Sequence, residues 1–286
     1  MTLPDQQAPA HNKLLNSLLL LTRWRLALFN GLAALAGYLL FPFSVFDAAA
    51  CAATAGVGLL AAGSSAFNQV LELPYDSLMV RTCNRPLPRG ALPPIAAVIL
   101  GSISALGGLA VLLLHDRRGA LLGCAALVWY LVVYTPLKRT SSLSLLAGAL
   151  CGALPPLVGW CLAGGSLFDF RIMLVAGLLY LWQIPHFWLL QRRYAGDYQR
   201  AGFVSFFTQV NQFRQRLYCG LWLVALLSTS MLLPLFGIIQ PWLALWYAAF
   251  SLCLPFLLFV PQEGILCACL NVFPVMLVLA AILQKH

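Results

Sequence analysis

Apolar residues run through this chain in long unbroken stretches. The stretches cover about 24–41, 48–68, 92–114, 119–136, 143–163, 172–190, 217–237, 241–260 and 264–284. Each is about 18–24 residues long, the length at which an α-helix crosses a hydrocarbon layer about 30 Å thick. The strands of a membrane barrel would instead alternate apolar and polar residues. The pattern therefore predicts an all-α polytopic membrane protein of nine transmembrane helices. Phe41-Pro42, Leu92-Pro93-Pro94, Asp116-Arg117-Arg118-Gly119, Gln240-Pro241 and Pro261-Gln262-Glu263-Gly264 mark breaks between helices. Residues 1–13 read as a flexible polar tail, and 14–286 as one transmembrane domain. The apolar stretch Leu14–Leu21 is interrupted by Arg23 and Arg25 before the first span, and it does not read as a secretory signal.

Composition narrows the class. Of 286 residues, 62% are hydrophobic and 9% charged. Soluble domains carry about 25% charged residues, so both a soluble enzyme and a disordered chain are excluded. The net charge of +9 reads as membrane topology and not as a nucleic-acid surface. With the N-terminus in the cytoplasm, only Arg117, Arg118, Arg171 and Lys285 of the 17 Lys and Arg fall outside. That places the chain in the inner (cytoplasmic) membrane, with the C-terminus outside. The two long polar loops, 73–91 and 191–216, then share the cytoplasmic face. The nine cysteines form no CxxC pair and read as small hydrophobes. The Gly119–Gly123 and Gly148–Gly152 pairs read as close helix packing.

With eight Asp and Glu in the whole chain, each can be weighed. Asp5, Asp47, Asp116 and Asp169 read as solvated residues of the tail and short loops. Asn68, Glu72 and Asp76 are spaced i, i+4, i+8, which drifts only about 40° per step on a helix and lines their oxygens along one face. Three oxygen ligands suit a hard divalent cation, and Mg²⁺ prefers one or two carboxylates completed by phosphate oxygens. The competing reading is a helix end that meets water, its acids solvated or paired with Arg81 and Arg85. Pro74 bends or ends the helix between the two acids. Arg81, Arg85 and Arg89 follow at four-residue spacing, and Arg forks bind phosphate bidentately. Lys138 and Arg139, at the inner end of the fourth span, either add cations to that site or simply fix topology. His186 follows Pro185 late in an apolar span, as a hydrogen-bonded core histidine or a contact for an aromatic acceptor. Asp197 either supports a second metal or a diphosphate-bound cation, or pairs with Arg193 or Arg200.

Together these residues resemble a known family. The run from Asn68 through Glu72, Asp76, Arg81 and Arg85 to Gly90 is similar to the first aspartate-rich motif of the UbiA superfamily of intramembrane prenyltransferases. Its Met-Val-Arg-Thr-Cys-Asn-Arg-Pro-Leu wording resembles the protohaem IX farnesyltransferase branch. Tyr134–Arg139 with Gly148–Trp160, and Trp182–Phe187 with Asp197-Tyr198 and Ala201-Gly202, agree with the same branch. The resemblance covers about residues 15–285. It implies helices around a central cavity open to the cytoplasmic side, and Mg²⁺ bridging a prenyl diphosphate. Asn68, Glu72 and Asp76 would be metal ligands, and Arg81, Arg85, Lys138 and Arg139 diphosphate ligands. Asp197 would remain from the second motif, and His186 would meet the acceptor. The implied reaction is farnesyl transfer from farnesyl diphosphate to a vinyl group of haem B, with water added, giving haem O.

Some positions depart from that pattern. Glu72 stands where the family usually has Asp, and Pro74 where the branch usually has a further Asp. After Ala201-Gly202 the branch usually continues Ile-Pro-Met-Leu-Pro-Val, whereas Phe203–Val210 carries no proline. Two alternatives follow: a prenyltransferase for another aromatic such as a quinone precursor, or a non-catalytic haem chaperone that works with haem-pathway or oxidase assembly proteins. A transporter is disfavoured, because the spans carry no charged mid-membrane residues.

Overall fold

The computed structural model describes residues 10–204, 211–253 and 263–283. Among them every regular element is helical. In chain order they are α1 (Ala10–Thr22), α2 (Trp24–Leu40), α3 (Ala48–Leu71), α4 (Leu73–Asp76), α5 (Pro94–Leu113), α6 (Arg117–Val128), a π-helix (Trp129–Tyr134) and α7 (Thr135–Thr140). Then come α8 (Ser144–Leu162), α9 (Phe170–Arg193), α10 (Ala195–Arg200), α11 (Gln212–Leu235), α12 (Pro241–Cys253) and α13 (Glu263–Leu283). The first helix starts at Ala10, inside the segment read as tail.

Six described helices are long and apolar enough to cross a membrane, and α1 with α2, bent by 46°, makes a seventh. The remaining two expected spans fall on α12 and α13. The first ends at Cys253 among the described residues, and the second includes the apolar helical stretch Ala268–Leu283. Part of the expected span 241–260, and residues 205–210 of the segment that departs from the family wording, lie outside the described residues.

The acids read as solvated turn residues do more than meet water. Asp47, Asp116 and Asp169 are helix N-caps, accepting the amides of Ala50, Gly119 and Arg171 at 2.9, 3.1 and 2.9 Å. A carboxylate there satisfies amide donors that have no partner within the helix.

The faces of α5 divide by what they meet. Ile95, Ile99, Ile103 and Leu106 are exposed at helical spacing, a lipid-facing stripe, while Ala97, Gly101, Ala105 and Gly108 are buried against α3. A Cβ on Gly63 would stand 2.8 Å from the Gly101 carbonyl oxygen, so α3 and α5 touch backbone to backbone. In a lipid solvent such approach, and not burial of Leu from water, holds helices together. Gly159 of α8 meets the Ala34 carbonyl of α2 in the same way.

The π-helix has a local cause. Pro136 cannot donate a backbone hydrogen bond, and its ring crowds the carbonyl four residues back, which a widened turn relieves. The Tyr130 carbonyl accepts the Thr135 amide five residues on and also the Thr135 hydroxyl, the latter at 2.8 Å. The wider turn keeps Tyr130, Tyr134 and Lys138 on one wall of the interior cavity.

Candidate active site

Between the helices lies a cavity of about 370 Å³. Its apolar wall includes Val57, Leu60, Leu127, Leu145, Leu154 and Phe187. Asn68, Glu72, Asp76, Arg81, Arg85, Lys138 and His186 all line it. Residues that the sequence separates by up to 118 positions therefore share one chamber.

The acids are buried and engaged. Asn68, Glu72 and Asp76 are 2%, 5% and 2% exposed. The Asp76 carboxylate pairs with the Arg85 guanidinium at 2.5 Å. Burial nonetheless holds its carboxyl above the usual carboxylate range, with Arg85 pulling the other way. Glu72 forms an ion pair with Lys138 and accepts the Asn68 amide at 2.8 Å. Thr135 then donates to the Asn68 carbonyl oxygen at 3.1 Å. A chain of polar contacts thus runs Thr135–Asn68–Glu72–Lys138, fastening the end of α3 to α7. Pro74 does not disperse the stripe: α3 ends at Leu71 with Glu72 as its C-cap, and the short α4 that follows still brings Asp76 to the cavity.

Arg139 and Asp197 sit elsewhere. Arg139 donates to the Leu71 carbonyl at 2.8 Å, lies over the Tyr75 ring at 4.6 Å, and is not part of the cavity wall. Asp197 is buried outside the wall, where its two oxygens accept the amides of Val80 and Arg81 at 3.1 and 3.0 Å. It also pairs with Arg200 at 2.7 Å. Burial alone would raise its carboxyl, but the two amides and Arg200 carry it below the ordinary carboxylate value. Around this contact Met79, Ala201 and Phe203 pack with Tyr75 and Tyr198. Met79, Tyr198 and Phe203 close over the cavity, so the two long loops interlock above it.

His186 stands at the boundary between this cavity and a second chamber of about 110 Å³ between α2, α8, α9 and α13. Its ring stacks on Trp182 at 5.1 Å, its side chain bonds to Asn271, and its Nδ1 is buried without a partner. Asn30 and Gln183 share that boundary.

Sequence reasoning passed over Arg23, Thr135, Tyr130 and Tyr134 as site residues. Both tyrosines were visible as the i−8 and i−4 neighbours of Lys138, a spacing that holds across the π-turn.

A metal fits this donor set in one form only. Among the described residues no three His, Cys, Asp or Glu gather to make a cage. Two buried carboxylates and one carboxamide line the cavity instead, a hard-oxygen set that leaves room for ligand oxygens.

Residues 28–282 match the sequence model of the UbiA prenyltransferase family. The chain is 50% identical over 266 residues to a protein of Geobacter sulfurreducens named protoheme IX farnesyltransferase, covering 93% of this chain and 98% of that one. Its fold resembles the apo structure of a UbiA homolog from Aeropyrum pernix K1, with TM-score 0.80 at 19% identity over 92% of this chain and 99% of that one. It also resembles a UbiA homolog from Archaeoglobus fulgidus bound to GPP and Mg2+, with TM-score 0.73 at 14% identity over 94% and 99%. The chain belongs to the UbiA prenyltransferase family.

Proposed function

We propose that the protein transfers a farnesyl group from farnesyl diphosphate to a vinyl group of haem B, giving haem O. The observation that carries this is the buried stripe Asn68–Glu72–Asp76 facing Arg81, Arg85 and Lys138 at one end of an apolar cavity. The relatives named for this reaction support the acceptor and the prenyl length.

Asn68, Glu72 and Asp76 would hold Mg²⁺, which supplies charge neutralisation to the departing diphosphate. Lys138, Arg85 and Arg81 bind the diphosphate oxygens and stabilise the negative charge that grows as the allylic C–O bond breaks. Arg85 and Lys138 are already ion-paired to Asp76 and Glu72, so the arriving diphosphate exchanges partners with them and no bare charge is created. The apolar wall holds the prenyl chain and keeps water from the allylic cation. The new C–C bond joins its first carbon to the terminal vinyl carbon of the haem. Water then adds at the inner vinyl carbon and releases one proton, which gives the hydroxyethylfarnesyl side chain. His186, at the boundary of the two chambers, faces the acceptor. Asp197 acts from outside the cavity by fixing the loop that carries Arg81, and Arg139 supports the α3 end at Leu71.

The nine-span topology belongs to the same reading: N-terminus cytoplasmic, C-terminus outside, cavity mouth toward the cytoplasm, in the inner membrane. The deciding experiment incubates the protein in lipid nanodiscs with haem B, farnesyl diphosphate and Mg²⁺ and extracts the haem. Haem O is expected, and its formation should cease when Mg²⁺ is chelated. Absence of haem O beside an active control, or transfer only to a quinone precursor, would overturn the assignment.

A further inference from the structure

Arg23 is the only non-glycine residue with positive φ among the described residues, at φ 48, ψ 51. That left-handed conformation is strained for an L-residue, whereas glycine adopts it freely. A strained residue persists where the surroundings over-determine it, and such residues cluster at functional sites.

The surroundings here are specific. Arg23 is the single residue between α1 and α2, at their 46° bend. Its carbonyl accepts the amides of Leu26 and Ala27 at 2.8 and 3.1 Å, which starts α2. Gln69 of α3, buried beside Asn68, donates its amide to the carbonyls of Leu20 and Leu21 at 3.1 and 2.8 Å, which ends α1. The helix that carries Asn68 therefore also holds the bend.

The bend turns Arg23 into the cavity, whereas Arg25 is exposed and lies over its neighbour Trp24. Arg23, Arg81, Arg85 and Lys138 line the cavity with only Glu72 and Asp76 as carboxylates. Glu72 holds Lys138 and Asp76 holds Arg85, so among the described residues no carboxylate pairs with Arg23. Arg81 has a buried Nε without a partner. Like charges gathered in a low-dielectric cavity repel unless an anion joins them.

Resting on the diphosphate reading above, we propose that Arg23 is a further diphosphate-binding residue, aimed by the strained α1–α2 junction into the cavity that Arg85 and Lys138 also line. The guanidinium and its backbone strain can be separated, because glycine removes the first and relieves the second.

Wild type, Arg23→Gly and Arg23→Lys are placed in nanodiscs and titrated with inorganic diphosphate and Mg²⁺ by calorimetry; thermal midpoints and KM for farnesyl diphosphate are measured alongside. Loss of a charge-assisted contact predicts binding weaker by about tenfold or more in Arg23→Gly, with KM raised in parallel. The thermal midpoint should stay level or rise, and Arg23→Lys should recover part of the affinity. Wild-type affinity in Arg23→Gly, or a lowered midpoint with affinity intact, would overturn the inference and make the side chain structural. Wild type that binds no diphosphate would overturn the diphosphate reading itself. Binding that falls in Arg23→Gly while no haem product forms would leave Arg23 in place and remove only the acceptor.

Discussion

The carboxylate of Asp197 accepts the backbone amide of Arg81 at 3.0 Å across 116 residues of sequence. It holds the next amide back, that of Val80, with its other oxygen. A carboxylate engaged in this way orients the peptide that carries a cavity cation without touching the cavity itself. Asp197→Asn keeps the shape but loses the charge and one acceptor. KM for the prenyl diphosphate should then rise about tenfold, the scale of one charge-assisted hydrogen bond, while kcat falls less. Equal loss of kcat with KM unchanged would place Asp197 in the chemical step instead.

The same contact has a pH signature. The folded-state carboxyl lies below its ordinary value. Its contribution to stability is therefore fully present above the unfolded value of about 3.9 and disappears as pH falls through the lower folded one. The difference in thermal midpoint between wild type and Asp197→Asn should be constant from about pH 5 to 8 and shrink only below about pH 4. A difference that shrinks near neutral pH would show that another group dominates.

Six of the expected spans, and a seventh made by the bent α1–α2 pair, were legible because a helix in lipid must be apolar over most of its circumference. The acid stripe was legible because carboxylates are so few that spacing alone selects Asn68, Glu72 and Asp76. Arg139 was grouped with Lys138 by adjacency, although neighbours on a helix point about 100° apart and one cavity seldom takes both. The pairing of Asp197 with Arg200 was legible, but its hold on Val80 and Arg81 was not, since backbone amides carry no sequence signal. Arg23 was hidden because a left-handed arginine breaks local preference; only the bend and Gln69 make sense of it.

Adjacency and orientation give Lys138 and Arg139 different fates. Lys138 is half-buried and ion-paired with Glu72 in the cavity wall, whereas Arg139 reaches the Leu71 carbonyl outside it. Lys138→Gln should raise KM for the prenyl diphosphate by about tenfold or more. Arg139→Gln should leave KM within about twofold and show its cost in the thermal midpoint. Equal kinetic effects from the two substitutions would reject the division.

Asp76 and Arg85 form a buried pair, with 3% and 15% of their side chains exposed. Removing one partner of such a pair costs about 3–5 kcal/mol because the other is left charged and alone. Asp76→Asn should therefore shorten the half-life on heating, and Asp76→Asn with Arg85→Gln should restore much of it. Activity should be lost by about 10²-fold or more in both, since neither retains the carboxylate. A double variant as labile as the single one would mean that the pair contributes nothing to holding the loop.

Gly152 and Gln183 test whether the two chambers serve different substrates. A Cβ added at Gly152 of α8 would overlap the side-chain amide of Gln183 on α9. The clashing atoms are the far end of a flexible side chain, so Gly152→Ala is expected to fold, with the amide displaced. Gly152, Gln183 and His186 line both chambers, so the displaced amide alters the passage between them. The ion-paired end at Glu72 and Lys138 is not disturbed. The acceptor kcat/KM should therefore fall about tenfold while KM for the prenyl diphosphate stays within about twofold. Gln183→Ala added to Gly152→Ala removes the obstructing amide and should return most of the lost kcat/KM. Failure of that rescue, or an equal rise in both KM values, would mean that the chambers do not divide the substrates between them.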